Sequence, residues 1–126
     1  VNLLLDTHVL LWWLSDDPQL GDSARKAISD PENIVYVSVV SLWEIAIKRG
    51  LGKLTLPDDF DEALAVQGFR ELPLKGGHVR FNRVLPWLHR DPFDRMLIAQ
   101  AQAEQLTLVT KDEDIRGYSV SLLKSV

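Results

Sequence analysis

Short apolar runs alternate along the chain with longer segments of helical spacing, and polar breaks separate them. Asn2 to Leu5 is an apolar run that stops at Asp6-Thr7, and Val9 to Leu14 then continues at helix length, which reads as strand, polar turn, helix. Ser15-Asp16-Asp17-Pro18 interrupts, and Asp22 or Ser23 is placed to cap a second helix reaching Ile28. After the loop Asp30-Pro31-Glu32-Asn33, the β-branched and aromatic run Ile34 to Ser38 predicts the second strand. From Val40 the spacing turns helical through Trp43, Glu44, Ile47 and Leu51, and glycines at 50 and 52 close it. Asp58 or Asp59 opens a helix to about Gln67, Arg70 to Leu74 is a weak third strand, and Gly76-Gly77 begins a helical region running to Pro86-Trp87.

The clearest stretch is Asp91 to Asp112. Asp91 can N-cap a helix whose first position is Pro92, which puts Asp94 in the first turn. Asp94, Leu97, Ile98 and Ala101 are spaced i, i+3, i+4, i+7, so a carboxylate shares an inward stripe with three apolar side chains. Leu106 to Thr110 then reads as a strand, Asp112 follows its end, and Tyr118 to Leu123 is a final strand. Strands alternating with helical segments predict an α/β fold with a parallel sheet covered on both faces. No repeat or linker divides residues 1–126, which are expected to form one domain. The functional crevice of such a sheet lies at the carboxyl ends of its strands.

Composition narrows the chemistry. The chain has 126 residues, 14 basic against 18 acidic, for a net charge of −4, which argues against charge-driven binding of nucleic acid but not against an enzyme whose carboxylates are neutralised by metal. With no cysteine, a metal would have oxygen or imidazole ligands. No apolar run approaches the roughly 20 residues of a membrane span and no signal peptide is evident, so a cytoplasmic location with no membrane association is expected.

Four acids stand where the crevice is expected. Asp6 and Asp112 follow strand ends, whereas Glu44 and Asp94 lie on apolar stripes where desolvation penalises an acid. Each has a plainer reading taken singly: a cap for Asp6, a capping box with Ser41 for Glu44, a dipole-favouring acid in Asp94, a turn cap in Asp112. Together they converge on one rim, and several carboxylates in close range call for a cation. Oxygen ligands without a His-x-x-x-His pattern point to Mg²⁺ or Mn²⁺, and such a site suits hydrolysis of a nucleic-acid backbone.

The segments LLLDTH at 3–8, SVVSLWEIAIK at 38–48, DPFDRMLIAQA at 91–101 and LVTKD at 108–112, in that order, resemble the PIN domain and specifically its VapC-type toxins. The resemblance implies an α/β/α sandwich with a central parallel sheet of four to five strands. It implies a Mg²⁺- or Mn²⁺-dependent endoribonuclease that cuts RNA and is held inactive by a VapB-like antitoxin, and it makes a homodimer the expected assembly. Asp6, Glu44, Asp94 and Asp112 match the family's metal ligands, and Thr7 and Thr110 its small polar positions, which orient carboxylates or water, Thr110 within the catalytic set. Asp91 is assigned to capping, while Asp114 is expected as an exposed turn acid, a ligand of a second ion being the alternative.

Thr7 and Arg95 are candidates for substrate contact, with Lys111 another cation beside a proposed ligand. His8 is expected to pack beside Leu11 and Trp12, His89 to face solvent, and Trp12, Trp13 and Trp43 to serve packing. Two alternatives differ in kind. A phosphoaspartyl phosphatase or receiver domain would use Asp6, Thr110 and Lys111, but His8 stands where such phosphatases want a second Asp and neither accounts for Glu44 or Asp94. A catalytically inactive PIN-like binding module would keep the fold and bind no metal.

Overall fold

A computed structural model describes residues 1–86, 91–111 and 122–124. The elements run β1 (Asn2–Leu5), α1 (Thr7–Leu14), α2 (Asp22–Ser29), β2 (Ile34–Ser38), α3 (Val39–Gly50), α4 (Phe60–Ala65), β3 (Arg70–Leu72), α5 (Gly76–Val84), α6 (Pro92–Glu104), β4 (Thr107–Thr110) and β5 (Leu122–Lys124). The strands form one parallel sheet in the order β3-β2-β1-β4-β5. β1 is central: Leu5 is in register with Val37 of β2 on one side and with Val109 of β4 on the other. The chain builds outward to β3 on one side of β1 and then to β5 on the other, so the strand order reverses between β1 and β4. Ligands settle at such a switch point.

Side chains alternate across the sheet and fill two cores. Leu3 and Leu5 face one core with Val9, Leu10, Ala24 and Ile28 of α1 and α2, and Leu4 faces the other with Leu97, Ile98 and Ala101 of α6. Burial on both faces is what makes the strands read as continuous apolar runs. The sheet with helices over both faces is the expected sandwich. Among the described residues no helix is long and apolar enough to cross a membrane.

Local expectations fared unevenly. Asp91 caps α6 with hydrogen bonds from the Phe93 and Asp94 amides at 2.9 and 3.0 Å, with Pro92 next in line. The cap of α2 is Gly21, without a side-chain hydrogen bond, because that helix starts one residue earlier than an Asp22 cap would require and two earlier than a Ser23 cap. β3 stops at Leu72, ahead of Pro73, which has no amide to extend the ladder. Leu122–Lys124 is the last strand, and 118–121 of the expected strand lie outside the described residues. The largest correction concerns α3. Val40, Ser41, Glu44 and Ile45 form its buried face, whereas Trp43 at 58% exposure, Ile47 and Leu51 lie on the other. The apolar spacing through Trp43, Ile47 and Leu51 marks a face turned towards solvent.

Candidate active site at the carboxyl edge of the sheet

Asp6 follows β1 at the switch point, and the chain turns there because its side chain caps α1. Its Oδ1 accepts from the Val9 amide at 2.8 Å, while its own amide is tied to the Val109 carbonyl of β4 at 3.1 Å. Its Oδ2 accepts from the Thr110 hydroxyl at 2.5 Å. The carboxylate is therefore a cap, as the plainer reading holds, but a buried one, 6% exposed, where an ordinary cap faces water. Burial raises its pKa above 3.8, and the hydrogen bonds from Thr110 and Val9 and the charges of His8 and Lys111 offset this only in part. A buried carboxylate that retains a raised pKa lacks sufficient positive charge nearby.

Glu44 comes to this edge from α3. Ser38, at the end of β2, caps that helix through the Val40 amide at 3.0 Å and donates its hydroxyl to Gln100 of α6 at 2.5 Å. Glu44 is thus in the second turn and outside any box with Ser41. Its Oε1 accepts from the Thr7 hydroxyl at 2.7 Å, and the Thr7 oxygen also lies 3.0 Å from the Ser41 oxygen. Its Oε2 accepts from the Lys48 ammonium at 2.7 Å. Glu44 is 3% exposed, while the Lys48 side chain, one turn further on, is 41% exposed. The hydrogen bond to Glu44, followed by the charges of Glu44, Asp91 and Asp94, raises the Lys48 pKa against the smaller effect of burial.

Asp94 lies half-buried in the first turn of α6, which packs against α3. Asp112 and Asp114 lie outside the described residues, as do His89 and Trp87. Among the described residues no three acids or histidines stand close enough together to hold a metal ion. The donor chemistry is nonetheless that of a hard cation, with oxygen ligands only and in Asp6 a carboxylate short of counter-charge.

Two expected substrate contacts need correcting. Arg95 is 2% exposed, and its guanidinium donates to the carbonyls of Asn82, Leu85 and Pro86 at 3.2, 3.4 and 2.8 Å, satisfying carbonyls at the end of α5. Thr7 is buried with its hydroxyl committed to Glu44, so it orients a carboxylate and offers nothing to a substrate. His8 is exposed and packs edge-on to Trp12, and the Lys111 ammonium lies 5.0 Å above the same ring. Lys48 and Ser38 were not anticipated from sequence, and Ser41 only as a capping partner of Glu44, whereas it lies beside the Thr7 hydroxyl. The i,i+4 spacing of Glu44 and Lys48 was the available signal for the first of them.

The family model for the PIN domain matches residues 3–120. Ribonuclease VapC22 of Mycobacterium tuberculosis is 28% identical over 128 residues, covering 93% of this chain and 92% of the relative. Among solved structures, VapBC2 from Rickettsia felis bound to a promoter DNA fragment aligns with a TM-score of 0.74 at 16% identity, covering 98% of both chains. VapBC-5 from M. tuberculosis, of the VapBC family of toxin–antitoxin systems, aligns with a TM-score of 0.60 at 23% identity over 98% of this chain and 96% of that one.

Proposed function

The chain belongs to the PIN domain family, and from that premise we propose that it is a metal-dependent endoribonuclease acting in the cytoplasm as the VapC-like toxin of a toxin–antitoxin pair. The observation that carries this reading is Asp6: a buried carboxylate with a raised pKa at the strand-order switch point, where a bound cation would supply the missing charge. A relative named as a ribonuclease and structural neighbours that are toxin–antitoxin complexes support it. The phosphoaspartyl alternative loses its footing, since Lys111 is placed over the Trp12 ring and the family is a different one.

In this reading Asp6, Glu44, Asp94 and Asp112 hold Mg²⁺ or Mn²⁺. When bound, the ion polarises the phosphodiester and lowers the pKa of the attacking water. Thr110 and Thr7 each hold one carboxylate oxygen of Asp6 and Glu44, so neither acid has to reorganise when substrate arrives. Lys111, on the Asp6 side, is the cation that would meet RNA phosphates in this reading, with the exposed His8 beside it. The exposed Trp43, Ile47 and Leu51 of α3 offer an apolar face to an amphipathic antitoxin segment, and a homodimer is the expected assembly. Residues 1–126 act as one domain.

Protein purified free of antitoxin should cleave RNA in Mg²⁺ or Mn²⁺ and stop in EDTA, and Asp94→Asn should abolish cleavage without changing the far-ultraviolet circular dichroism spectrum. Undiminished cleavage in EDTA, or by the variant, would overturn the reading.

A further inference from the structure

Lys48 and Glu44 form an i,i+4 pair, and most such pairs are weak surface contacts. This one differs because its acid is buried. Glu44 is 3% exposed, so the ammonium reaches from solvent inward to a carboxylate that water cannot serve. The same ammonium lies in the fields of Asp91 and Asp94 on α6. One cation thereby answers acids on two helices, on the side of Glu44 away from Thr7. Among the described residues Asp6 has no such partner: its two oxygens accept from a backbone amide and a hydroxyl, both neutral.

We propose that Lys48 is an internal counter-ion of the carboxylate site, holding Glu44 in the metal-free protein and releasing it when a divalent cation binds. The proposal rests on the metal-site reading above. An ammonium and a divalent ion cannot both lie against a single carboxylate oxygen without strong mutual repulsion, so Lys48 must let go of Oε2 as the ion arrives. Its four-carbon stem and partly exposed position give the head group room to swing to solvent, where hydration restabilises the charge. Two consequences follow for the chain itself. The metal-free site is protected against the repulsion of its own acids, and apparent metal affinity is lowered by the cost of displacing Lys48.

Calorimetric titration of Mn²⁺ into the antitoxin-free wild-type protein, Lys48→Gln and Lys48→Arg tests this directly. Lys48→Gln keeps a hydrogen-bond donor for Glu44 without the charge and should bind Mn²⁺ about tenfold more tightly, whereas Lys48→Arg should stay within about twofold of wild type. Equal or weaker binding by Lys48→Gln overturns the exchange. Absence of binding heat in all three proteins overturns instead the metal site beneath it. A second measurement needs no variant to fold beyond one used for assignment: the lysine side-chain ammonium resonances of the wild-type protein, with Lys48→Arg identifying the signal. The Lys48 signal should move from its Glu44-bonded position to that of a free lysine on saturation with Mg²⁺, and a signal unchanged at saturation overturns the proposal.

Discussion

Asp6 and Glu44 are withdrawn from water to nearly the same degree, 6% and 3% exposed, yet they are held in different ways. Asp6 lies in the middle of the sheet between β1 and β4 and receives hydrogen bonds from neutral groups, the Val9 amide and the Thr110 hydroxyl. Glu44 stands on α3 and combines one hydroxyl, from Thr7, with the ammonium of Lys48. The difference follows from position. No long side chain of the described residues lays a cation directly on Asp6, whereas a helix supplies Lys48 to Glu44 one turn away. The Asp6 side is therefore the charge-deficient half of the site and the Glu44 side the compensated half.

Replacing each acid by its amide should separate the two halves most strongly. Asp6→Asn and Glu44→Gln should both lower RNA cleavage by at least about a hundredfold, the upper end of what even indirect partners of a metal site cost when lost. Their effects on metal-free stability should have opposite signs. Asn at position 6 can still accept from the Val9 amide and can donate to Thr110, and it removes a charge that burial penalises, so its melting temperature in EDTA should rise by a few degrees. Gln at position 44 removes the counter-charge of Lys48 and should destabilise by about 1 kcal/mol, the partial exposure of Lys48 keeping the loss below that of a fully buried pair.

The pH dependence sharpens the first half. The native pKa of Asp6 is raised, so the native protein holds its proton more tightly than the unfolded chain. That contribution to stability is fully present below pH 3.8 and is lost as pH rises through the raised value. The advantage of Asp6→Asn should accordingly be largest at neutral pH and vanish as pH falls towards 3.8, as read from urea unfolding in EDTA. An advantage that does not vary with pH would assign the gain to something other than the buried charge.

The threonines give a smaller contrast. Thr110→Val removes one of two neutral donors from a carboxylate to which no described residue bonds a cation, and should destabilise by about 1–2 kcal/mol. Thr7→Val leaves Glu44 with Lys48 and should cost about 1 kcal/mol or less. Equal losses, measured by chemical unfolding without metal, would mean that the two halves are compensated alike after all.

How far this arrangement could be read in the sequence depended on whether a feature is local. The alternation of strands and helices, the Asp91 cap and the inward stripe of α6 are written in adjacent residues, and they match the fold. The α3 stripe failed because periodicity reports that an apolar face exists and not what covers it: Trp43, Ile47 and Leu51 repeat as regularly as core residues would and lie on the outer face. Arg95 failed for a geometric reason. Successive helix residues point about 100° apart, so adjacency to Asp94 carried its guanidinium away from the rim and onto the end of α5. The Thr7–Glu44 and Thr110–Asp6 bonds join residues 37 and 104 positions apart, a distance at which only the assembled sheet decides who meets whom.

The smallest test concerns the outer edge of the charge-deficient half. Lys111 is exposed, stacked over the ring of Trp12, and its charge lowers the pKa of Asp6 without touching the carboxylate. Lys111→Met should change stability by less than about 0.5 kcal/mol, because an exposed cation at a distance is screened by solvent and salt. If the residue also meets an RNA phosphate, KM should rise several-fold at low ionic strength while kcat holds, and the difference should shrink as salt is added. A fall in kcat with KM unchanged would point the other way, to a Lys111 that acts through Asp6 itself and supplies part of the charge which the Glu44 half receives from Lys48.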